Sequence, residues 1–370
     1  MTAVAPRSAA LQEADRLMTI CNACRYCEGL CAVFPAMEMR RFFGDGDLNY
    51  LANLCHQCGA CYPDCQYSPP HEFNVNIPAT LAKVRNESYA AYARPAALAG
   101  AFERNGLVIA LLAAASVALF IAGFVAFQNP AVLWGRHAGD FYALMPHNAM
   151  VSLFGAVTLY AVLAFVLSLR AFWHDINGDG PRAGLAAIGR ATADTAHLTY
   201  LHGGGGGCTS EDKQPSPTRR ICHHLTFYGF LLCFAATSVA TIYHYAFGWP
   251  APYPLYSLPV VLGILGGIGL LAGPAGLFVL SRRRDPALTD ARHRGMDTAF
   301  IVMLFLTSLT GFLLMLLRDT GAMGILLALH LGVVLGLFLS LPCGKFVHGL
   351  YRFLALVKYA REKRSGVFVD

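Results

Sequence analysis

Eight cysteines fall between Cys21 and Cys65, in two runs of one spacing. Cys21, Cys24, Cys27 and Cys31 read C-x2-C-x2-C-x3-C, and Cys55, Cys58, Cys61 and Cys65 repeat it. Three thiolates at intervals of three can take three corners of a 4Fe–4S cube. In two-cluster ferredoxins the fourth cysteine of each run ligates the other cluster. The spacing therefore predicts two 4Fe–4S clusters. One would sit on Cys21, Cys24, Cys27 and Cys65, the other on Cys55, Cys58, Cys61 and Cys31. Structural zinc also takes CxxC pairs, but typically as two separated pairs, and leaves two crowded triplets unexplained. One departure is that the runs do not close in Cys-Pro; Ala32 follows Cys31 and Gln66 follows Cys65. The other four cysteines, Cys208, Cys222, Cys233 and Cys343, lack paired spacing and read as small buried hydrophobes, with Cys208 left open.

Histidines form the second constellation. His330 and His348 are 18 residues apart, five turns of a straight helix and about 27 Å along its axis. His223 and His224 lie near one end of another apolar stretch and His244 near its other end. His223 and His244 fall about 60° apart around an ideal helix, His224 and His244 about 160°. Antiparallel helices would bring His348 opposite His223 or His224, and His330 opposite His244. Each pair could ligate a b-type haem, so one or two haems are expected. An imidazole in a span is costly unless it has a partner or a task, although a lone histidine can also be a hydrogen-bonded core residue. His147 reads as a helix-end residue, with a haem or quinone contact as the alternative. His197 and His202 read as solvated loop residues.

These groups need elements to hold them. The chain has 370 residues, 56% hydrophobic and 14% charged, with mean hydropathy +0.48. Soluble proteins carry about 25% charged residues, so a wholly soluble chain is excluded. The chain divides near residue 105 into an iron–sulfur head, 1–104, and a membrane half, 105–370. The head lacks short alternating strands, while Ala9 to Ile20 and Pro78 to Arg94 read as helices. A mainly α fold is expected, an α-helical ferredoxin-like domain followed by a six-helix transmembrane bundle. The spans are Leu107–Phe127, His147–Leu169, Leu225–Phe247 (with a possible start at Cys222), Leu258–Leu280, Thr298–Leu317 and Met323–Leu341. The last could run on towards Tyr351, with Pro342 as a kink. Spans need about 20 apolar residues.

Lys and Arg set orientation. Sixteen lie in the loop 171–221, the loop after the fourth span and the tail from Lys345, against Arg136 and Arg318 on the other side. Head, long loops and C-terminus should face the cytoplasm, N-in and C-in, in a bacterial inner membrane. The first 20 residues lack the apolar core of a secretory signal, which favours metal binding over disulfides. The loop with Gly203 to Gly207 and the polar run from Glu211 reads as flexible, and Arg361 to Arg364 as lying near anionic headgroups. Gly263 to Gly269 sits inside an apolar span and reads as helix packing, not a nucleotide site. No located nucleophile, carboxylate pair or phosphate loop supplies a substrate site. An electron carrier needing a separate dehydrogenase is implied, with no nucleic acid as partner.

The doubled cysteine motif, HHLTFYGF from His223, TIYHY around His244 and LPCGKFVHG through His348 resemble the tricarballylate/citrate utilisation protein B family, TcuB/CitB, over nearly the whole chain. The membrane half is also distantly similar to the gamma subunit of respiratory nitrate reductase, whose late helix carries two haem-ligating histidines; His330 and His348 fit that pattern. The resemblance implies a protein that reoxidises the FAD of a cytoplasmic, TcuA-like tricarballylate dehydrogenase and passes electrons to membrane quinone. Alternatives are a heterodisulfide-reductase-like subunit fed by thiol/disulfide chemistry, and a redox sensor or anchor for a transporter.

Overall fold

The computed structural model describes residues 7–137, 139–178, 180–209 and 214–366. Lys213 and the start of the polar run, Glu211, lie outside them.

The head is helical. Helix α1 (Ala9–Cys24) starts where the Ser8 hydroxyl accepts from the Leu11 N–H at 3.2 Å, relieving one of the orphan donors of a helix start. It stops where Arg25 turns left-handed, φ 57°. Helices α2 (Val33–Glu38), α3 (Asp45–Leu54) and α4 (Ile77–Tyr92) follow. Asn76 caps α4 and Pro78 sits in its first turn, where its missing N–H costs nothing. A short α5 (Ala99–Glu103) leads into the membrane half.

Among the described residues, six helical segments are long and apolar enough to cross a membrane. The helices are α6 (Asn105–Phe127), α7 (His147–Asn177), α9 (Thr218–Phe247), α10 (Leu258–Arg282), α11 (Arg294–Leu317) and α12 (Met323–Ser340). Their outward faces carry exposed Leu107, Leu119, Leu159, Leu163 and Leu265, as lipid-facing surfaces do. Small residues set the packing. A Cβ on Gly266 of α10 would meet Cys233 of α9 at 2.8 Å, and one on Gly336 of α12 would meet Ala113 of α6 at 2.8 Å.

Several bounds differ from the expected ones. Helix α7 continues to Asn177 and α9 starts at Thr218, about two turns before Leu225, so both project beyond the expected spans towards the head. The sixth span does not run on to Tyr351. It ends at Ser340, followed by a 3-10 turn Leu341–Cys343 and a new helix, α13 (Val347–Ser365). Pro342 cannot donate an N–H to continue the ladder.

Helix α13 completes the core of the head. Tyr351, Leu356 and Tyr359 bury among Tyr50, Leu51 and Tyr89, joined by Phe172 and Ile176 of α7. Arg40 binds Asp47 at 2.6 Å and Glu362 at 2.8 Å. Arg361 donates to Asn177 at 2.5 Å and Glu362 is buried. Arg361 and Glu362 are therefore engaged by the head, while Lys363 and Arg364 stay exposed.

The loop 171–221 is also not a featureless linker. It holds α8 (Leu185–Ala196) and a two-stranded antiparallel pair, β1 (Cys208–Thr209) and β2 (Pro215–Ser216), in register Cys208 to Ser216. Thr209 donates its backbone N–H to the Cys58 carbonyl at 3.0 Å. A Cβ on Gly203 would meet Ala60 at 2.9 Å, and one on Gly204 would meet Leu30 at 2.9 Å. The glycines let the loop lie flush on the cysteine runs.

Candidate functional site

The cysteine runs fold by short turns around two cavities. Cys21 and Cys24 sit three apart on the last turn of α1, and the left-handed Arg25, whose N–H bonds the Cys21 carbonyl at 2.8 Å, swings Cys27 back beside them. Cys21, Cys24, Cys27 and Cys65 line one cavity, with Tyr26, Phe34 and Tyr67. Cys31, Cys55, Cys58 and Cys61 line the second, with His56, Phe34 and Tyr200. Each holds about 370 Å³, counting space open to solvent. Phe34 lines both, so one side chain separates them.

The donor set suits a cluster. Burial, reinforced by neighbouring thiolates, pushes the Cys21 and Cys27 thiols up to about 12. Burial alone dominates at Cys58, pushed up to about 11, and at Cys31 and Cys61, pushed further. Thiols this resistant to ionising become thiolates only around a cationic centre. Among the described residues, no three His, Cys, Asp or Glu side chains converge on one point as a single ion requires. A cavity with thiols on its walls fits a cube of iron and sulfide better than a zinc ion.

His56, which the sequence reading passed over although it adjoins Cys55, lines the second cavity. Its Nδ1 bonds the Leu54 carbonyl at 2.9 Å, and burial, then the Arg352 charge, hold its pKa well below the ordinary value. His223 is among the groups bearing on it.

His223 on α9 and His348 on α13 face each other, with ring centroids 6.0 Å apart at 59°. His348 Nδ1 bonds the Lys345 carbonyl at 2.5 Å. That bond fixes Nδ1 as the protonated nitrogen and leaves Nε2 with its lone pair, as a metal-ligating imidazole requires. Burial, then Arg352, hold His348 neutral, with its pKa well below the ordinary value. His224 turns the other way and stacks on Tyr228 at 5.8 Å. Of the two neighbours, His223 is therefore the one opposite His348, and these are the two imidazoles that would hold a haem.

The other expected pair is not formed. His244 stacks on His147, ring centroids 3.8 Å apart, with Tyr142 edge-on at 6.1 Å. His330 bonds Thr310 of α11 at 3.0 Å through Nδ1. The reason lies in the packing: α9 lies along α10, and α12 lies along α6 and α11. His330 therefore meets α11 through Nδ1, while His244 meets His147 of α7.

Basic residues crowd the seam between head and membrane helices. Arg219 and Arg284 donate to the Gln57 carbonyl at 2.6 and 2.5 Å, and Arg85 and Arg352 to the Cys55 carbonyl at 2.9 Å each.

Comparison with known proteins gives the family. A family model described as citrate utilization protein B matches residues 101–367, and one described as the Fer4-like domain of that protein matches residues 14–91. Citrate utilization protein B of Escherichia coli is 52% identical over 355 residues, covering 96% of this chain and 93% of that protein. No solved structure matches the chain.

Proposed function

The chain belongs to the citrate utilization protein B family, and from that premise we propose that it is a membrane electron-transfer subunit. It reoxidises a cytoplasmic FAD-dependent dehydrogenase, a tricarballylate dehydrogenase, and delivers the electrons to membrane quinone. The observation that supports this best is the sequence of sites: a thiol-lined cavity open to solvent, a second behind Phe34, then His56, then the facing pair His223 and His348.

Two 4Fe–4S clusters and one b haem would supply the one-electron carriers, which a flavin-to-quinone link requires. The residues position them. Cys21, Cys24, Cys27 and Cys65 would hold the outer cluster, and Cys31, Cys55, Cys58 and Cys61 the inner one. Donation from the Gln57 N–H to Cys55 Sγ at 3.3 Å favours charge on that sulfur. The glycine loop and Tyr200 cover the inner cavity, leaving the outer one as the entry point. His223 and His348 would carry the haem near the head side of the bilayer, which we assign to the cytoplasm of an inner membrane.

The test is anaerobic purification of the full chain in detergent, with iron and haem quantified, followed by addition of the flavoprotein and its substrate. Stoichiometric iron, reduction of the carriers by the flavoprotein and reoxidation by a quinone analogue are expected. Iron-loaded protein that the reduced flavoprotein never reduces would refute the reading.

A further inference from the structure

Among the described residues, the basic seam holds more cationic side chains than carboxylates. Arg85, Arg352, Arg219 and Arg284 converge there, and Arg85 and Arg219 both bear electrostatically on Arg352. Asp297 is the carboxylate that bears on Arg284 and Lys345, and Lys345 already holds it at 2.8 Å. Arg352 gives one terminal nitrogen to Cys55, while its Nε is buried without a hydrogen-bond partner among the described residues. Buried cations without an anion are strongly unfavourable, and a guanidinium fork matches a carboxylate best.

Position says which carboxylate. Arg219 precedes His223 by four residues on α9, and Arg352 follows His348 by four on α13. Residues four apart share a helix face, one turn or about 5.4 Å apart. On both helices the displacement is toward the head: Arg219 reaches Gln57, and Arg352 reaches Cys55. The two arginines therefore stand on the head side of the two facing imidazoles, one from each wall.

We propose that Arg219 and Arg352 form a carboxylate-binding pair that receives the two propionate groups of a haem seated between His223 and His348. The inference rests on the haem reading above. It fixes the orientation of the macrocycle, with its carboxylates towards the head, and links them through Arg352 to the backbone of Cys55. Each arginine is a positioning residue that also biases the iron towards its less positive, reduced form.

The test uses Arg219→Gln, Arg352→Gln and Arg352→Lys in the full chain, with redox titration of the haem absorption in detergent. Each Gln variant should lower the reduced-to-oxidised ratio at a fixed potential about tenfold, equivalent to about 59 mV for one electron. The Lys variant keeps the charge and should recover most of the shift. Gln variants with wild-type haem content and an unchanged midpoint would overturn the assignment. If a variant loses its iron–sulfur signal, and so its fold, the wild-type chain decides. Made without haem and reconstituted, it should take haem dimethyl ester about tenfold more weakly than haem; equal uptake refutes the pair. A wild-type chain that binds no haem at all sinks this inference and the haem assignment together. A midpoint unmoved in a haem-loaded chain sinks this inference alone.

Discussion

Glu362→Ala tests whether α13 and the head are one unit. The Glu362 carboxylate receives Arg40 at 2.8 Å, Lys358 at 3.6 Å and the Tyr50 hydroxyl at 3.2 Å. The side chains of Arg40, Lys358 and Glu362 are 0%, 5% and 5% exposed. Removing the carboxylate leaves two buried cations to share Asp47, which is 2.6 Å from Arg40 and 3.8 Å from Lys358. Breaking a buried ion pair by deleting one partner costs about 3–5 kcal/mol, and Asp47 holds the value near the lower figure. A loss of about 3 kcal/mol raises the opening equilibrium more than a hundredfold. Amide hydrogen exchange of the full chain in detergent should then accelerate by that factor in α3 and α13, and hardly at all in α10. Glu13→Ala is the control, since its pair with Arg16 at 2.7 Å is 40% and 44% exposed. It should cost about 0–1 kcal/mol. Protection in α3 and α13 that survives Glu362→Ala within about threefold, a factor worth under 1 kcal/mol, would refute the claim that this network anchors the helix.

Three further outcomes follow from the same geometry. His223→Ala should abolish the b-type absorption while His224→Ala leaves it, because only His223 faces His348; visible spectra of the reduced chains decide. If the quartets cross between runs, Cys31→Ser combined with Cys55→Ser should lose no more iron than either change alone, since both belong to one cavity. Cys31→Ser combined with Cys21→Ser should lose both clusters, and iron analysis separates the two patterns. Gly59 has φ +84°, and a Cβ there would meet Thr209 Oγ1 at 2.5 Å. Gly59→Val should therefore cost about 1–3 kcal/mol and loosen the loop over the inner cavity, read as faster bleaching of the iron–sulfur absorption in air.

Some of this arrangement is local and so legible in the sequence. Cysteine spacing, span length and small-residue packing are properties of a few turns of chain, which is why the two cysteine runs and the six apolar helices could be read directly. The sharing of partners between distant segments is not local. Which helix lies beside α9 depends on Gly229, Gly266 and Gly269 meeting across an interface, and that contact leaves His244 beside His147 and His330 against Thr310. The glycine loop misled for a related reason: composition suggested freedom, whereas Gly203 and Gly204 are small so that the chain can pass close over Leu30 and Ala60. His56 was legible and overlooked. An imidazole wedged between two cavity-lining cysteines in CHQC has few bland reasons to be buried.

The break at Pro342 has the largest consequence. A straight helix through His330 and His348 would have carried both along one face of the bundle. The turn at Leu341–Cys343 instead redirects the chain, so that α13 sends His348 and Arg352 to the seam and Lys358 and Glu362 into the core of the head. Fifteen residues of one helix, His348 to Glu362, thus tie the imidazole site to the core that positions the cysteine runs. A helix is stiff along its axis because every interior N–H is bonded to a carbonyl four residues back. The distance from the inner cavity to His348 is then set by the packing of α13 on Tyr50 and Tyr89, not by a flexible connection. Loss of the Glu362 anchor should for that reason reach the redox sites as well as the fold, shifting the His223–His348 spacing even though neither histidine touches Glu362.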